Sequence, residues 1–164
     1  MDKLTALNFL PQEQLVLAYS HEKMEVNRYR CLALRFLSID PPVNRLMSAI
    51  GIECVHRLEW LKEVATRMDL SACVAEPSYP GASPLFNINK QHFFVVDELM
   101  GTQLLEQAEK AAKETFMFFS WLLETNATPE LDRPFLGFVN QKTNEFHVLQ
   151  ECRQNWTAGM SIAF

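Results

Sequence analysis

The sequence predicts an all-α protein in which four helices form a bundle, with one long connection between the second and third helices. Its 164 residues, 48% of them hydrophobic and 21% charged, are enough for a single domain with a stable core over residues 1–164. The eight prolines fall into a few groups, and long proline-free stretches separate these groups. Glycine, at five residues, is also scarce. These features favour a few long helices.

The first two predicted helices are joined by a short proline turn. Pro11 is suited to the first turn of a helix, so we expect the first helix to run from about Pro11 to Ser38. The pair Pro41-Pro42 stops it, and the second helix is expected from about Val43 to Met68. A short connection predicts that the two helices pack antiparallel.

A long connection follows, over Asp69–Gln91, and it contains three of the prolines. The third helix is expected from about Val95 to Glu124, and a short polar turn over Asn126–Leu131 leads to the fourth, from about Arg133 to Asn155. The apolar tail Trp156–Phe164 is expected to dock on the bundle. A four-helix bundle with one long crossover has the ferritin-like arrangement.

Charge and composition exclude several classes of function. A formal net charge of −5 argues against a general nucleic-acid binder, which needs a basic surface. No apolar run reaches the roughly 18–20 residues that span a bilayer, and the first residues lack the apolar segment of a signal peptide. We therefore expect a cytoplasmic protein that binds neither nucleic acid nor membrane.

The four cysteines, Cys31, Cys54, Cys73 and Cys152, are far apart along the chain and form no C-x-x-C pair. This spacing argues against a zinc ribbon and against a rubredoxin-like iron site. Reduced and mostly buried thiols are the expected alternative.

Several acidic residues lie on predicted apolar helix faces. On a helical wheel, Glu22 is within roughly 40° of six residues of the first helix: Leu15, Ala18, Val26, Tyr29, Ala33 and Phe36. Glu53 has a similar position on the second helix, and His56 follows it by one turn. Glu109 shares a face of the third helix with Leu105 and Phe116.

Buried carboxylates must be neutral, paired or bound to metal, because an unpaired buried charge costs several kcal/mol. Glutamates together with one imidazole are suitable ligands for iron or manganese. The i, i+3 spacing of Glu53 and His56 directs both side chains to one point. The order Glu, Glu-x-x-His, Glu along three helices is the order expected of a di-iron bundle.

These segments resemble the rubrerythrin branch of the ferritin-like superfamily. Glu22, with Arg28 and Tyr29 following, is similar to its first-helix pattern, and Glu53–His56 is similar to its second-helix Glu-x-x-His. Glu109-Lys110 with Phe116 resembles the third-helix pattern. The resemblance covers most of the chain as an order of helices, and its specific matches are confined to these segments.

The fourth helix departs from the family pattern. Where rubrerythrins have a second Glu-x-x-His, this chain has Asn144-Glu145-Phe146-His147, with Asn in place of the first Glu. The wheel places Asn144 and His147 away from the apolar face formed by residues such as Phe135 and Phe138. His147 is therefore a candidate ligand that the pattern leaves open.

The resemblance implies a non-haem di-metal protein that reacts with peroxide or dioxygen. Glu22, Glu53, His56, Glu109 and His147 would bind two iron ions, or one, with manganese as an alternative. Tyr29 would have a redox or hydrogen-bonding role, or be an ordinary core tyrosine. The cysteine pattern predicts that no rubredoxin-like domain is present, so we expect that an external electron donor would be needed. Aromatic residues at Phe116–Trp121 favour a homodimer.

Two alternatives stay open at this point. In one, the chain is a metal-free ferritin-like binding or structural module whose acids pair with Arg57 and Lys113. In the other, it is an iron-dependent oxygenase of an organic substrate, with Asp69–Gln91 as a lid over the pocket. A pocket beside the acids would favour the oxygenase.

Overall fold

The computed structural model describes residues 9–75 and 93–162, and within these ranges it confirms an all-helical chain without strands. One 3₁₀ turn, Ser71–Val74, accompanies the longer helices. The α-helices of the described residues are α1 Pro11–Arg35, α2 Pro41–Arg67, α3 Glu98–Glu124 and α4 Pro129–Ile162. Most of the predicted connection Asp69–Gln91 lies outside the described residues.

Aspartates begin two of the helices. The Asp40 side chain accepts a hydrogen bond from the backbone N–H of Val43 at 3.0 Å, and Pro41 and Pro42 both lie in the first turn of α2. Prolines are tolerated there because these N–H groups have no partner within the helix. At α3, Asp97 accepts from the N–H of Met100 at 2.7 Å. The proline pair therefore starts α2 and does not precede it.

The fourth helix is longer at both ends than the sequence predicts. It begins at Pro129, continues through Pro134 and ends at Ile162, whereas Arg133 and Asn155 were the expected limits. Pro134 lacks the N–H that a helix interior uses, but burial of Leu131 and Phe135 on either side holds this turn in place. The start of the predicted apolar tail is therefore helical.

Trp156, in this added part of α4, packs against α3 and the end of α1. Its indole packs edge-on against Phe36, with ring centroids 5.7 Å apart, and lies directly over Gly101 of α3. Its Nε1 donates to the carbonyl oxygen of Glu98 at 3.2 Å. The expectation that the tail docks on the bundle is confirmed for Trp156.

The helices pack as antiparallel neighbours around one hydrophobic core. α1 and α2 are joined by a turn, and α3 and α4 by another, so each pair forms a helical hairpin. Across the hairpins, His21 of α1 meets Thr115 of α3, while the end of α1 meets the segment before α3 through the Val95 N–H and Arg35 carbonyl oxygen, 2.9 Å apart. α2 likewise contacts α4 in the opposite direction, with Trp60 against Phe138. Of the described helices, none is both long and apolar enough to cross a membrane.

Gly101 tests the docking of Trp156. A Cβ atom at residue 101 would overlap the indole ring, so we expect Gly101→Ala to lower the free energy of unfolding by about 1–3 kcal/mol. Gly159, also in a helix, has nothing within 4 Å of the same added atom. Gly159→Ala should be neutral or stabilise by up to about 1 kcal/mol, because alanine favours helix. Urea unfolding of both variants measures the difference, and an equal effect of the two would contradict this packing.

Candidate functional site: a buried charge cluster

Glu22 lies at the centre of the bundle, as the helical wheel predicts, and it is completely buried. Its Oε2 accepts a hydrogen bond from Arg57 Nε at 3.1 Å, and its Oε1 forms an ion pair with Lys142 Nζ. Arg57 and Lys142 are 1% and 2% exposed. Glu22 therefore faces two cations from two different helices, α2 and α4.

Glu145 completes the group. Arg57 Nη2 donates to its Oε1 at 2.5 Å, and Lys142 Nζ lies 3.6 Å from its Oε2. We call Glu22, Arg57, Lys142 and Glu145 the charge cluster. It contains two acids and two bases, so its formal charges cancel. Such balance is what allows charged groups to remain in a protein core.

Electrostatics keep the two cations of the charge cluster protonated. Burial alone would lower the pKa of Arg57 and of Lys142, but Glu22 and Glu145 outweigh it, and both pKa values lie above their ordinary range. For Glu145 burial is the largest influence and raises the pKa, against the opposing effect of Lys142 and Arg57. Arg57 and Lys142 therefore stay charged, so their charges must be balanced by acids in the core.

Two neutral groups complete the shell around Arg57. Its Nη1 donates to Gln141 Oε1 at 2.8 Å, and its Nη2 lies 3.2 Å from Cys54 Sγ. Burial raises the pKa of the Cys54 thiol to about 12, with Glu22 as the next cause. Since the thiolate is the nucleophilic form, Cys54 is a structural thiol at neutral pH.

A second buried acid, Glu25, connects α1 to α3. Thr115 Oγ1 donates to Glu25 Oε1, and Arg28 Nη1 contacts both carboxylate oxygens at 3.0 and 3.1 Å. His21 Nε2 lies 3.5 Å from the same Oε1. Burial would raise the pKa of Glu25, but His21, Lys142, Arg28 and Thr115 together lower it. Glu25 is therefore ionised and fully engaged.

The structure does not bring the predicted metal ligands together. Glu53 and His56 have side chains 54% and 67% exposed, contrary to the expectation that they face the core, and they contact each other at 3.8 Å on the outside of α2. Glu109 pairs with Arg153 of α4, away from Glu22. His147 is exposed.

Tyr29 is the other predicted site residue that lies in the core, with 1% of its surface exposed. Burial raises its pKa well above the ordinary value, and the acids Glu25 and Glu145 act in the same direction. Its hydroxyl is therefore protonated at neutral pH.

The aromatic residues of α3, Phe116–Trp121, differ in burial: Phe119 is buried, whereas Trp121 is 38% exposed.

The residues present do not suit a pair of divalent metal ions. The buried carboxylates that could act as donors, Glu22 and Glu145, already contact the ammonium of Lys142 and the guanidinium of Arg57. Divalent ions placed there would be repelled by these two cations. Within residues 9–75 and 93–162, no three His, Cys, Asp or Glu side chains are grouped so that they could hold a metal ion.

The helical wheel misplaced Glu53 of α2 by about one residue. The buried face of α2 includes Cys54, Arg57 and Leu61, so Glu53 lies roughly 100° away from its neighbour Cys54 on that face. On α3 the buried face includes Leu105, Ala108 and Ala112, and Glu109 lies at its edge, with a side chain 16% exposed and paired with Arg153. Cys54 and Arg57 were not counted as core residues on the wheel, although both are buried on the core face of α2.

Sequence reasoning missed the cluster's α4 members. Lys142 and Glu145 continue a spacing of three and four residues on the buried face of α4, which comprises Leu131, Phe135, Phe138, Lys142, Glu145 and Leu149. This spacing could have identified Lys142 and Glu145 as core residues from the sequence. Lys113, the other cation expected to pair with the acids, is exposed, whereas the pairing expected for Arg57 is confirmed.

Comparison with protein-family models, with curated proteins and with solved structures finds no match to this chain.

Lys142 tests whether charge balance maintains the charge cluster. Lys142→Met leaves two buried acids facing Arg57 alone, and we expect it to lower the free energy of unfolding by about 3–5 kcal/mol. The double variant Glu22→Gln/Lys142→Met restores balance and should be more stable than Lys142→Met alone. Chemical denaturation measures both.

The matched control for this experiment is Lys113→Met, which removes an exposed lysine and should change stability by less than about 0.5 kcal/mol. If Lys142→Met and Lys113→Met had equal effects, the buried pairing of Lys142 would be wrong. Should Lys142→Met fail to fold, recovery of folding in the double variant still tests the balance of charge.

Glu25 provides a test by pH. A carboxyl with a lowered pKa in the folded state stabilises the fold above its ordinary pKa of 4.5, and this stabilisation is lost as pH falls through the lower folded value. We therefore expect Glu25→Gln to have a lower free energy of unfolding than the wild type at pH 7. This difference in free energy, the stability gap, should narrow as the pH falls below the ordinary pKa of Glu25. Urea titrations across this range measure the gap, and a constant or widening difference would contradict the assigned direction.

Proposed function

We propose that this chain is a metal-free ferritin-like helical module with a binding or structural role. The observation that carries the proposal is the charge cluster, in which Arg57 and Lys142 contact the carboxylates that a metal pair would need. Two protein cations balance the buried acids, so the core requires no added cation for charge neutrality.

The packing directions support the ferritin-like part of the proposal. Because α1 is antiparallel to both α2 and α3, the helices α2 and α3 run in the same direction. Two parallel helices that follow each other in the chain have the end of the first and the start of the second at opposite ends of the bundle, a distance that a long crossover spans. The length of the chain between Met68 and Asp97 is sufficient for it.

Redox chemistry of the rubrerythrin type receives less support. The resemblance placed Glu53, His56, Glu109 and His147 in one site, and here they lie on the outer face of α2, in a pair with Arg153, and on the exposed side of α4. Tyr29 is buried beside acids and retains its proton. These placements favour a core that is chemically inert at neutral pH.

A groove beside the charge cluster supports small-molecule binding as part of the proposed role. A groove of about 300 Å³ lies between α2 and α4, above the charge cluster, and includes Glu53, Gln141 and Asn144 among its walls. This volume is at the lower end of known ligand pockets. The oxygenase alternative needs such a pocket, but it also needs unpaired metal ligands, and Glu145 beside this groove is paired with Arg57.

Iron titration tests the proposal directly. We expect the purified protein to retain only substoichiometric iron after anaerobic addition of ferrous ion and removal of the excess, because no vacant set of ligands is available. The matched variants Glu22→Gln and Glu53→Ala should give the same low content. Metal per chain is measured by mass spectrometry of the protein solution.

Stoichiometric iron in the wild type, lost in either variant and giving an oxo-bridged absorption after exposure to air, would overturn the metal-free proposal and support the di-iron alternative. Stoichiometric iron that both variants retain would overturn it as well, and would place the metal on residues outside both groups.

A further inference from the structure

We propose that the groove between α1 and α3 binds a small amphipathic carboxylate, of the class of medium-chain aliphatic acids. This inference rests on the proposed binding role and names the ligand class. The groove has a volume of about 490 Å³, within the range of small-molecule sites, and it lies on the side of the bundle opposite to the groove above the charge cluster.

The floor of the α1–α3 groove is apolar and rigid. Leu32, Leu104 and Ala108 lie in the core and are only 7%, 8% and 2% exposed, so their positions are set by the packing of the bundle. Ala111 forms part of the wall, and Met24, 62% exposed, stands at one side. Such a surface suits an aliphatic chain, because burying it removes apolar area from water on both partners.

The charged side chains that line the α1–α3 groove are arginines. Of the described residues there, these are Arg35 and Arg28, whose partner Glu25 is buried behind it and does not line the groove. Arg35 donates from Nε to the carbonyl oxygen of Phe93 at 2.9 Å and lies over the Phe93 ring, which fixes it at one end. Positive charge beside an apolar floor is complementary to an anionic head group on an apolar chain.

Arg28 is the residue that we assign to the carboxylate. Its contacts with Glu25 are both made by Nη1, so Nε and Nη2 remain available as donors, and its side chain is 34% exposed. A guanidinium edge presents two parallel N–H groups to a carboxylate. Glu25 holds this guanidinium from the buried side, so the head group would bind without reorganising Arg28.

The dimensions of the groove limit the length of the ligand. Its α1 wall extends from Met24 to Arg35, about 16 Å at the helical rise, which suits a chain of about ten carbons. The grooves between α2 and α4 are lined instead by acids including Asp40, Glu53 and Glu151, and the one cation among their described lining residues, Arg57, is already held by two carboxylates. An anion would be repelled there, so the α1–α3 side is the one that selects it.

The experiment compares decanoate with decanol, which has the same chain length and no charge, by isothermal titration calorimetry at neutral pH. We expect the wild type to bind decanoate at least about tenfold more tightly than decanol, as a charge-assisted hydrogen bond would give. Arg28→Gln should remove this preference, because its amide keeps polarity without charge. Arg30→Gln is the matched control, since Arg30 is exposed on the same helix and does not line the groove.

Two further readouts place the ligand in the groove. Decanoate should slow alkylation of Cys31, which lines the groove, relative to Cys73, which does not. Ala111→Trp should fill the groove and weaken decanoate binding at least tenfold, whereas Ala158→Trp on the exposed side of α4 should leave it unchanged. Circular dichroism of each variant establishes that it is folded.

The inference is overturned if decanoate does not bind, if decanol binds equally well, or if binding is unaffected by Ala111→Trp or by Arg28→Gln. A failure of this kind leaves the iron content unchanged and so does not touch the metal-free proposal. Conversely, stoichiometric iron would overturn the metal-free proposal while the preference for decanoate could still be measured.

Discussion

Neutrality of the buried charge cluster is the constraint on which the arrangement of the helices depends. Glu22 comes from α1, Arg57 from α2, and Lys142 and Glu145 from α4, so three helices must be in register before the charges cancel. A shift of one helix by a turn would leave a charge unpaired in the core, at a penalty of several kcal/mol. Apolar burial is non-directional, whereas the charges of the cluster pair only when these side chains meet.

α3, which contributes no residue to the charge cluster, is bound by a different set of interactions. Glu25 and His21 of α1 meet Thr115 of α3, and this polar contact lies close to the charge cluster, as the influence of Lys142 on the pKa of Glu25 indicates. Aromatic packing surrounds the polar layer, with Lys142 Nζ 5.8 Å from the centre of the Phe119 ring. The core is therefore an apolar bundle with one polar layer across its middle.

This polar layer explains why acids in a core can indicate either of two different functions. In a metal-binding bundle, buried carboxylates are neutralised by ions taken from solution, and in this chain they are neutralised by arginine and lysine. The pattern of acids is similar in the two cases. What differs is the position of the cations, and a lysine on the fourth helix is as informative as the glutamate on the first. The grooves on the two sides then differ in charge, basic between α1 and α3 and acidic between α2 and α4.

Local sequence patterns were sufficient to predict the helical class, the order of the helices and the burial of Glu22, because helix ends and apolar periodicity are local properties of the chain. It also indicated Arg57 as an alternative partner for the acids. The positions of Glu53 and His56 could not be settled in this way, since an error of one residue turns a side chain by about 100° and exchanges core for solvent. These positions depend on how the helices pack. The cations that balance Glu22 come from residues 57 and 142, remote in the sequence, and they meet it only because the helices pack against one another.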